Sequence, residues 1–406
     1  MQAKKVISFC VALLCCIGCS KQDAPPPFYS SATFVLDGTH NIPKIGAPVS
    51  STTITLASKE APTTPPLSIP GADTETFAIA QGKDIIIGSP RSSRILARST
   101  DSSNIIELLA DSSHIYAIHL NGTIESYLID GKLQWHSATP SFPKPGSVLF
   151  HGSLILLSDS VVTSLATGDG SQKWKYNTTL SPISACVSWK FDVLYVALSN
   201  NNPALADSIV TLKANGNIFA RFGFATTRIT SNLCIAGDNI AFGYLSGADT
   251  AAARRTTHLS VWNLASATPQ LKWKQHLLYI PSTVSYNGKM IISGGFRETE
   301  GEIVSGIDAF HIDDSATVWR RRFTYPLVST LTVSSSYAYI PFTFSTQATV
   351  PTKTVLSIID LSDGKTQSEF NIPDAEAGFV QGVGMPVDGM LSYADRSQSK
   401  VYFLKP

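Results

Sequence analysis

His114 and His119 could share a metal ion only if their imidazoles met, and a strand-like segment carries both. Positions of opposite parity on a strand point to opposite faces, which is poor geometry for a joint site. Asp313-Asp314 reads as a turn dipeptide before it reads as a calcium site, and the double glycine Gly294-Gly295 occurs once in its setting. No G-x-S-x-G elbow, H-E-x-x-H pair or glycine-rich phosphate loop before a helix is present. No catalytic residue, bound metal or cofactor is therefore expected. Of the 6 cysteines, Cys10, Cys15, Cys16 and Cys19 crowd the start, leaving Cys186 and Cys234 in the body. These two stand at the same point of consecutive repeats, each just before a strand-like run. In an oxidising compartment they could pair, provided their Cα atoms came within about 7 Å. Two buried free thiols are the preferred expectation.

The elements that would position any site are short strands. Eight segments share a compact apolar run, at 84–87, 114–118, 154–157, 194–198, 240–244, 290–293, 337–340 and 390–393. Beyond the first pair, they recur about every 40 to 50 residues, a period that signals a repeat architecture. No window of helical length carries a convincing apolar stripe. Asn121-Gly122, Asp130-Gly131, Asp169-Gly170, Asn215-Gly216, Asn287-Gly288, Asp363-Gly364 and Asp388-Gly389 punctuate the strands with pairs that accept the positive φ of tight hairpins.

Short strands repeated in this way must stack in an open solenoid or close into a ring. Six repeats between Ile105 and Phe370 look complete. Five N-terminal pieces (33–36, 52–56, 76–80, 84–87, 95–97) and three C-terminal ones (379–383, 390–393, 401–404) make up two further sets of four. The expected fold is all-β, a single β-propeller of four-stranded antiparallel blades. Eight blades are preferred, with seven as the alternative, and the N- and C-terminal strands pair to close the ring. The short interval between the first two runs leaves open that 84–97 completes the last blade. Three long stretches, 57–76, 245–257 and 344–353, are expected loops, where binding usually lives.

At 43% hydrophobic residues the chain can fill a large core. Lys4 and Lys5 precede an uncharged apolar run over 6–18, too short for the roughly 20 residues of a membrane-spanning helix. It reads as a secretory signal. Removing residues 1–18 takes two of the 31 basic side chains, leaving one fewer than the 30 acidic ones. With no charged block anywhere, nucleic-acid binding is excluded as an expectation.

Cys16-Ile17-Gly18-Cys19 resembles the lipobox of bacterial lipoproteins, with Cys16 where leucine is usual. The resemblance implies lipidation of Cys19; the stretch after it, with Pro25, Pro26 and Pro27, reads as a Pro-rich tether over 19–31, which leaves the propeller domain over 32–406. Each buried methylene of an acyl chain contributes about 0.8 kcal/mol, so two chains or more hold firmly. Ser20 after the cysteine favours the outer membrane, facing either the periplasm or the cell surface.

Apolar strand, Asp-Gly, three residues, Trp is the pattern that ends at Trp135 and again at Trp174. It is similar to the pyrroloquinoline-quinone-type propeller repeat, and residues 358–365 resemble its strand-and-turn half. In that family the aromatic docks between blades. The resemblance assigns this role to Trp135, Trp174, Phe219, Trp273, Trp319 and Phe370 as packing residues. Quinone dehydrogenases of the family carry a vicinal disulfide, and the adjacent pair Cys15-Cys16 lies in the signal, so a quinone enzyme is the less favoured alternative. Lipoprotein subunits of the outer-membrane β-barrel assembly machinery are the favoured likeness. They imply a non-catalytic, monomeric interaction platform whose partners are envelope proteins, the barrel-inserting protein among them, with membrane contact through lipid alone. A surface lipoprotein binding a glycan or peptide is the other alternative, with Phe142, Tyr279, Phe296 and Tyr325 as candidate stacking residues.

Overall fold

The computed structural model describes residues 29–30 and 50–405, apart from 59, 70–75, 140, 201, 203–204, 224–226, 248–255, 266–268, 300–301, 324–330, 348–349, 373–379, 388–389 and 396–398. Its described strands form eight antiparallel sheets, the blades of one propeller. Blade 1 comprises Leu67–Ser68, Phe77–Gln81, Asp84–Ser89 and Ser92–Arg98. Blades 2 to 4 begin with Ile105–Ala110, Pro143–Leu149 and Ser181–Ser188. Blade 5 opens with the two short pieces Thr227–Ile229 and Cys234–Ala236, which pair with the same strand, Asn239–Ser246. Blades 6 and 7 begin at Ile280–Tyr286 and Thr332–Val333. In blade 8, Val380–Val387, Met390–Asp395 and Lys400–Lys405 come from the C-terminal end, and Ser50–Thr55 supplies the outermost strand. Closure is therefore three strands plus one, with Ser50 opposite Lys405 and Thr55 opposite Lys400.

Burial explains why the sequence reads as apolar runs. Ser153–Ser158 lies within blade 3, covered on both faces by the adjacent blades, and all of its residues are buried. The blade's outermost strand, Gln172–Asn177, shows a polar alternation because one face meets water. The core is thus distributed between blades. At the closure, Leu56, Phe77, Ile79 and Ile86 pack on Ala394, Val401 and Phe403, with the Phe77 and Phe403 rings 5.4 Å apart.

Inner strands are tied to one another through polar groups at irregularities in their register. Gly146 and Ser147 N–H donate to the Glu107 carboxylate across the blade 2–3 boundary, at 3.2 and 3.1 Å. Leu233 N–H donates to Ser184 Oγ (3.0 Å), and Val284 N–H to Asn232 Oδ1 (2.9 Å). A register shift frees Gly146 and Ser147 from the ladder, Leu233 lies in the gap between the two short inner strands of blade 5, and Val284 lies on an inner strand; in each case the neighbouring blade satisfies the N–H.

Several expectations change. The run at 84–87 falls on the third strand of blade 1, whereas the other seven fall on second strands; the short first interval follows from that offset, and Asp84–Ser89 belongs to its own blade. The expected loop 57–76 contains the innermost strand of blade 1, Leu67–Ser68, short and bounded by prolines. Most of 344–353 is strand, with Phe344 opposite Lys353; at the ends of 245–257 Leu245 faces Thr257, and 248–255 lie outside the described residues. The piece at 33–36 and the turn Asp388-Gly389 lie outside the described residues. Tyr29–Ser30, near the end of the expected tether, pairs with Leu109 and Ala110 on the innermost strand of blade 2, which places it at the central channel.

Candidate interaction faces

Tryptophans at the outer strands lock the blades together by a repeated geometry. Trp135 Nε1–H donates to the Thr167 carbonyl of the next blade at 2.8 Å, and Trp174 to Ala214 at 2.7 Å. Trp273 donates to Ile312 at 2.8 Å, and Trp319 to Leu361 at 2.7 Å. Each acceptor lies in the turn between third and fourth strands of the following blade. The turn glycine faces the ring: a β-carbon on Gly170, Gly216 or Gly364 would come within 2.5, 2.7 and 2.7 Å of Trp135, Trp174 and Trp319 respectively. At the Trp273 slot the left-handed position is taken by Ser315 (φ 62), whose N–H bonds His311 just as Gly364 bonds Asp360. Asp313-Asp314 is the rest of that turn, with Asp314 accepting from Ala316 N–H and Asp313 paired to Lys272.

Phe219 does not fill a slot. In blades 2 to 7 the outer strand has a register shift just before the docking position, and Phe219 falls on the shifted residue, so its ring turns outward and is 48% exposed. Ala220 holds the docking position. In blade 7 the same register gives that position to Ser368, opposite Ile358, while Phe370 stands two residues on, opposite Leu356. The sequence spacing misses this because both aromatics follow their glycine at the wrong interval for the bulge.

Antiparallel alternation gives the ring two faces. The tight turns, first to second strand and third to fourth, share one face; the hairpins between second and third strands share the other. On that second face blades 5, 6 and 7 stand tall. Their second strands run 8, 10 and 11 residues, against 6 in blade 3. At about 3.3 Å per residue the blade 7 hairpin rises roughly 15 Å above its shorter counterparts.

Blade 5 carries an aromatic ladder on this face. Tyr244 stacks on His258 (5.2 Å, 28°), and His258 meets His276 edge-on at 5.8 Å. Burial depresses the His258 pKa, with Lys274 and His276 adding to the effect. In blade 6 the buried Asp308 takes bonds from Arg322 and lies 3.8 Å from Arg320; burial raises its carboxyl pKa despite those cations. Phe296, 39% exposed, belongs to the blade 6 hairpin.

The other sequence candidates scatter. Phe142 is 66% exposed, and Tyr279 is fully buried with its hydroxyl donating to Ser293 O at 2.8 Å. Tyr325 and Cys19 lie outside the described residues. His119 is enclosed, its ring between Ser103 O (2.9 Å) and Glu125 Oε2 (3.1 Å), while His114 bonds Asp111. Burial works to raise the Glu125 pKa, but hydrogen bonds from His119, Ser99 and Tyr127 outweigh it and hold the carboxyl below its ordinary value. This cluster is sealed from solvent and acts within blade 2. Gly294 and Gly295 are spaced for packing, since a β-carbon on Gly295 would meet Ile280 O at 1.9 Å. Cys186 and Cys234 are buried thiols in separate clusters, not bonded to each other. Among the described residues no metal-binding cluster is present, and no helix is long and apolar enough to cross a membrane.

No protein-family model matches the chain, and no curated protein matches it. Solved structures do. The structure of BamB from Moraxella catarrhalis superposes with a TM-score of 0.61 at 13% identity, over 89% of this chain and 97% of that one. The Dos1 propeller superposes with a TM-score of 0.62 at 10% identity, over 88% and 95%. At such identities the likeness is one of fold: this chain is an all-β propeller resembling both.

Proposed function

We propose that this chain is a lipid-anchored, non-catalytic propeller that presents the tall hairpins of blades 5 to 7 to protein partners in the cell envelope, in the manner of BamB. The observation that carries the reading is the asymmetry of the ring: three adjacent hairpins project from a scaffold stapled at every inner boundary described above. Long elements on a rigid base are where binding residues sit. The lipobox-like Cys16-Ile17-Gly18-Cys19 supports attachment to the outer membrane through Cys19. Pairing of Tyr29–Ser30 with Leu109 and Ala110 supports a tether held near the ring axis, so the anchored body stands in a limited range of orientations.

Partners of this platform are envelope proteins, foremost the protein that inserts barrels into the outer membrane. Pull-down of the lipidated chain from detergent-solubilised envelopes tests the reading. Recovery of the barrel-assembly machinery, lost when residues 297–304 are replaced by Asn-Gly to shorten the blade 6 hairpin, is the expected result. A glycan or an unrelated surface protein in its place, or recovery indifferent to the hairpins, overturns it.

A further inference from the structure

Among the described residues, one inter-blade slot in this ring keeps its acceptor carbonyl but has no aromatic at the docking position. Register places Trp135, Trp174, Trp273 and Trp319 opposite Ser126, Ser164, Val261 and Ala309. The same position in blade 4 is Ala220, opposite Thr211, which in turn faces Tyr195. The carbonyl that would receive an indole N–H is present too. In blades 3 and 7 the acceptor residues Thr167 and Leu361 are held by their own N–H bonds to Gly152 O and Ser336 O; Leu264 of blade 5 is held in the same way by Asp238 O, at 2.8 Å. Among the described residues no donor reaches the Leu264 carbonyl.

Between these walls lies a cavity of about 230 Å³, bounded by Tyr195, Thr211 and Phe219 of blade 4 and Leu264, Ala265 and Pro269 of blade 5. Thr211 is 2% exposed and forms part of the wall. The volume is below the roughly 300–1,000 Å³ of drug-sized sites and suits one fused ring system.

We infer that the blade 4–5 slot is a docking pocket for a tryptophan side chain supplied by a partner protein. The inference rests on the platform reading for its occupant, whereas the shape of the site rests on this chain's own repeats. The ring would lie over Tyr195 and Thr211, its N–H directed to Leu264 O, completing the geometry that the chain builds for itself at four other boundaries. The pocket opens on the tight-turn face, opposite the tall hairpins, so it adds a second point of contact.

5-Fluoroindole tests the slot without any partner. Its ¹⁹F signal should broaden and saturate on titration of the wild-type propeller at millimolar concentrations. Ala220→Trp should abolish the effect and raise the melting temperature, because its own indole takes the place. The analogue 5-fluorobenzofuran, which lacks the N–H, should bind at least several-fold more weakly. Absence of binding to wild type, or equal binding to Ala220→Trp, overturns the inference. If that variant does not fold, crystals of the wild type soaked in 5-fluoroindole decide: density between Tyr195 and Leu264 supports the slot, and density elsewhere or none removes it. A negative result here leaves the hairpin pull-down standing, and a negative pull-down leaves the slot intact.

Discussion

Gly364 lies against the face of Trp319, so close that a β-carbon would come within 2.7 Å of the indole Cδ2 and Cγ. The glycine also needs its positive φ of 72°, so two constraints meet at one residue. Turn and ring form a lock in which each part is shaped by the other.

Truncation of Trp319 to alanine should therefore cost about 3–5 kcal/mol, by loss of apolar burial and by the cavity left between blades 6 and 7. Trp319→Phe keeps much of the packing but leaves Leu361 O without its donor, and should cost less. Gly364→Ala should fall near the truncation, since strain and clash coincide. Equilibrium urea denaturation measures all three, and Trp319→Ala with unchanged stability would falsify the lock.

The Glu125 carboxyl, held below its ordinary pKa in the fold, favours the ionised folded state. Its contribution is complete above the unfolded value of about 4.3 and is lost as pH falls through the lower folded value. Glu125→Gln should lower stability at pH 7 by about 2 kcal/mol, the scale of charge-assisted bonds. Between about pH 4.3 and the acid limit of folding, the variant should lack part of the wild-type decline. Denaturation curves at several pH values compare the two.

Removal of residues 1–56 deletes the strand Ser50–Thr55 and leaves Lys400–Lys405 as an open edge. An unpaired edge recruits other strands. The truncated chain should melt earlier and self-associate on light-scattering chromatography, whereas removal of residues 1–28 should do neither.

Cys19→Ser should move the protein from the membrane pellet to the soluble fraction and abolish incorporation of labelled palmitate. Retention in the pellet with no label lost would sink the anchor.

The Ser315 position offers a gain in place of a loss. Ser315 has a φ of 62, where its counterparts are glycine, so Ser315→Gly should relieve strain and raise stability by up to about 1 kcal/mol. A fall in melting temperature would show that the Gln275 Nε2 bond to Ser315 Oγ, at 3.1 Å, outweighs the relief.

Local chemistry was enough to reveal the ring and much of its lock. Buried second strands such as Ser153–Ser158 announce themselves as apolar runs, and Asp169-Gly170 announces its turn, because burial and positive φ each restrict residue type at a single position. Trp135 and Trp174 were legible for the same reason. The exposed Phe219, the inner strand Leu67–Ser68, the tall hairpins of blades 5 to 7 and the empty slot beside Ala220 were not. Each depends on register between strands or on contact between blades: a one-residue bulge decides which side chain turns inward, and a cavity exists only where two blades meet. Those relations join residues far apart along the chain, so tertiary packing alone decides them.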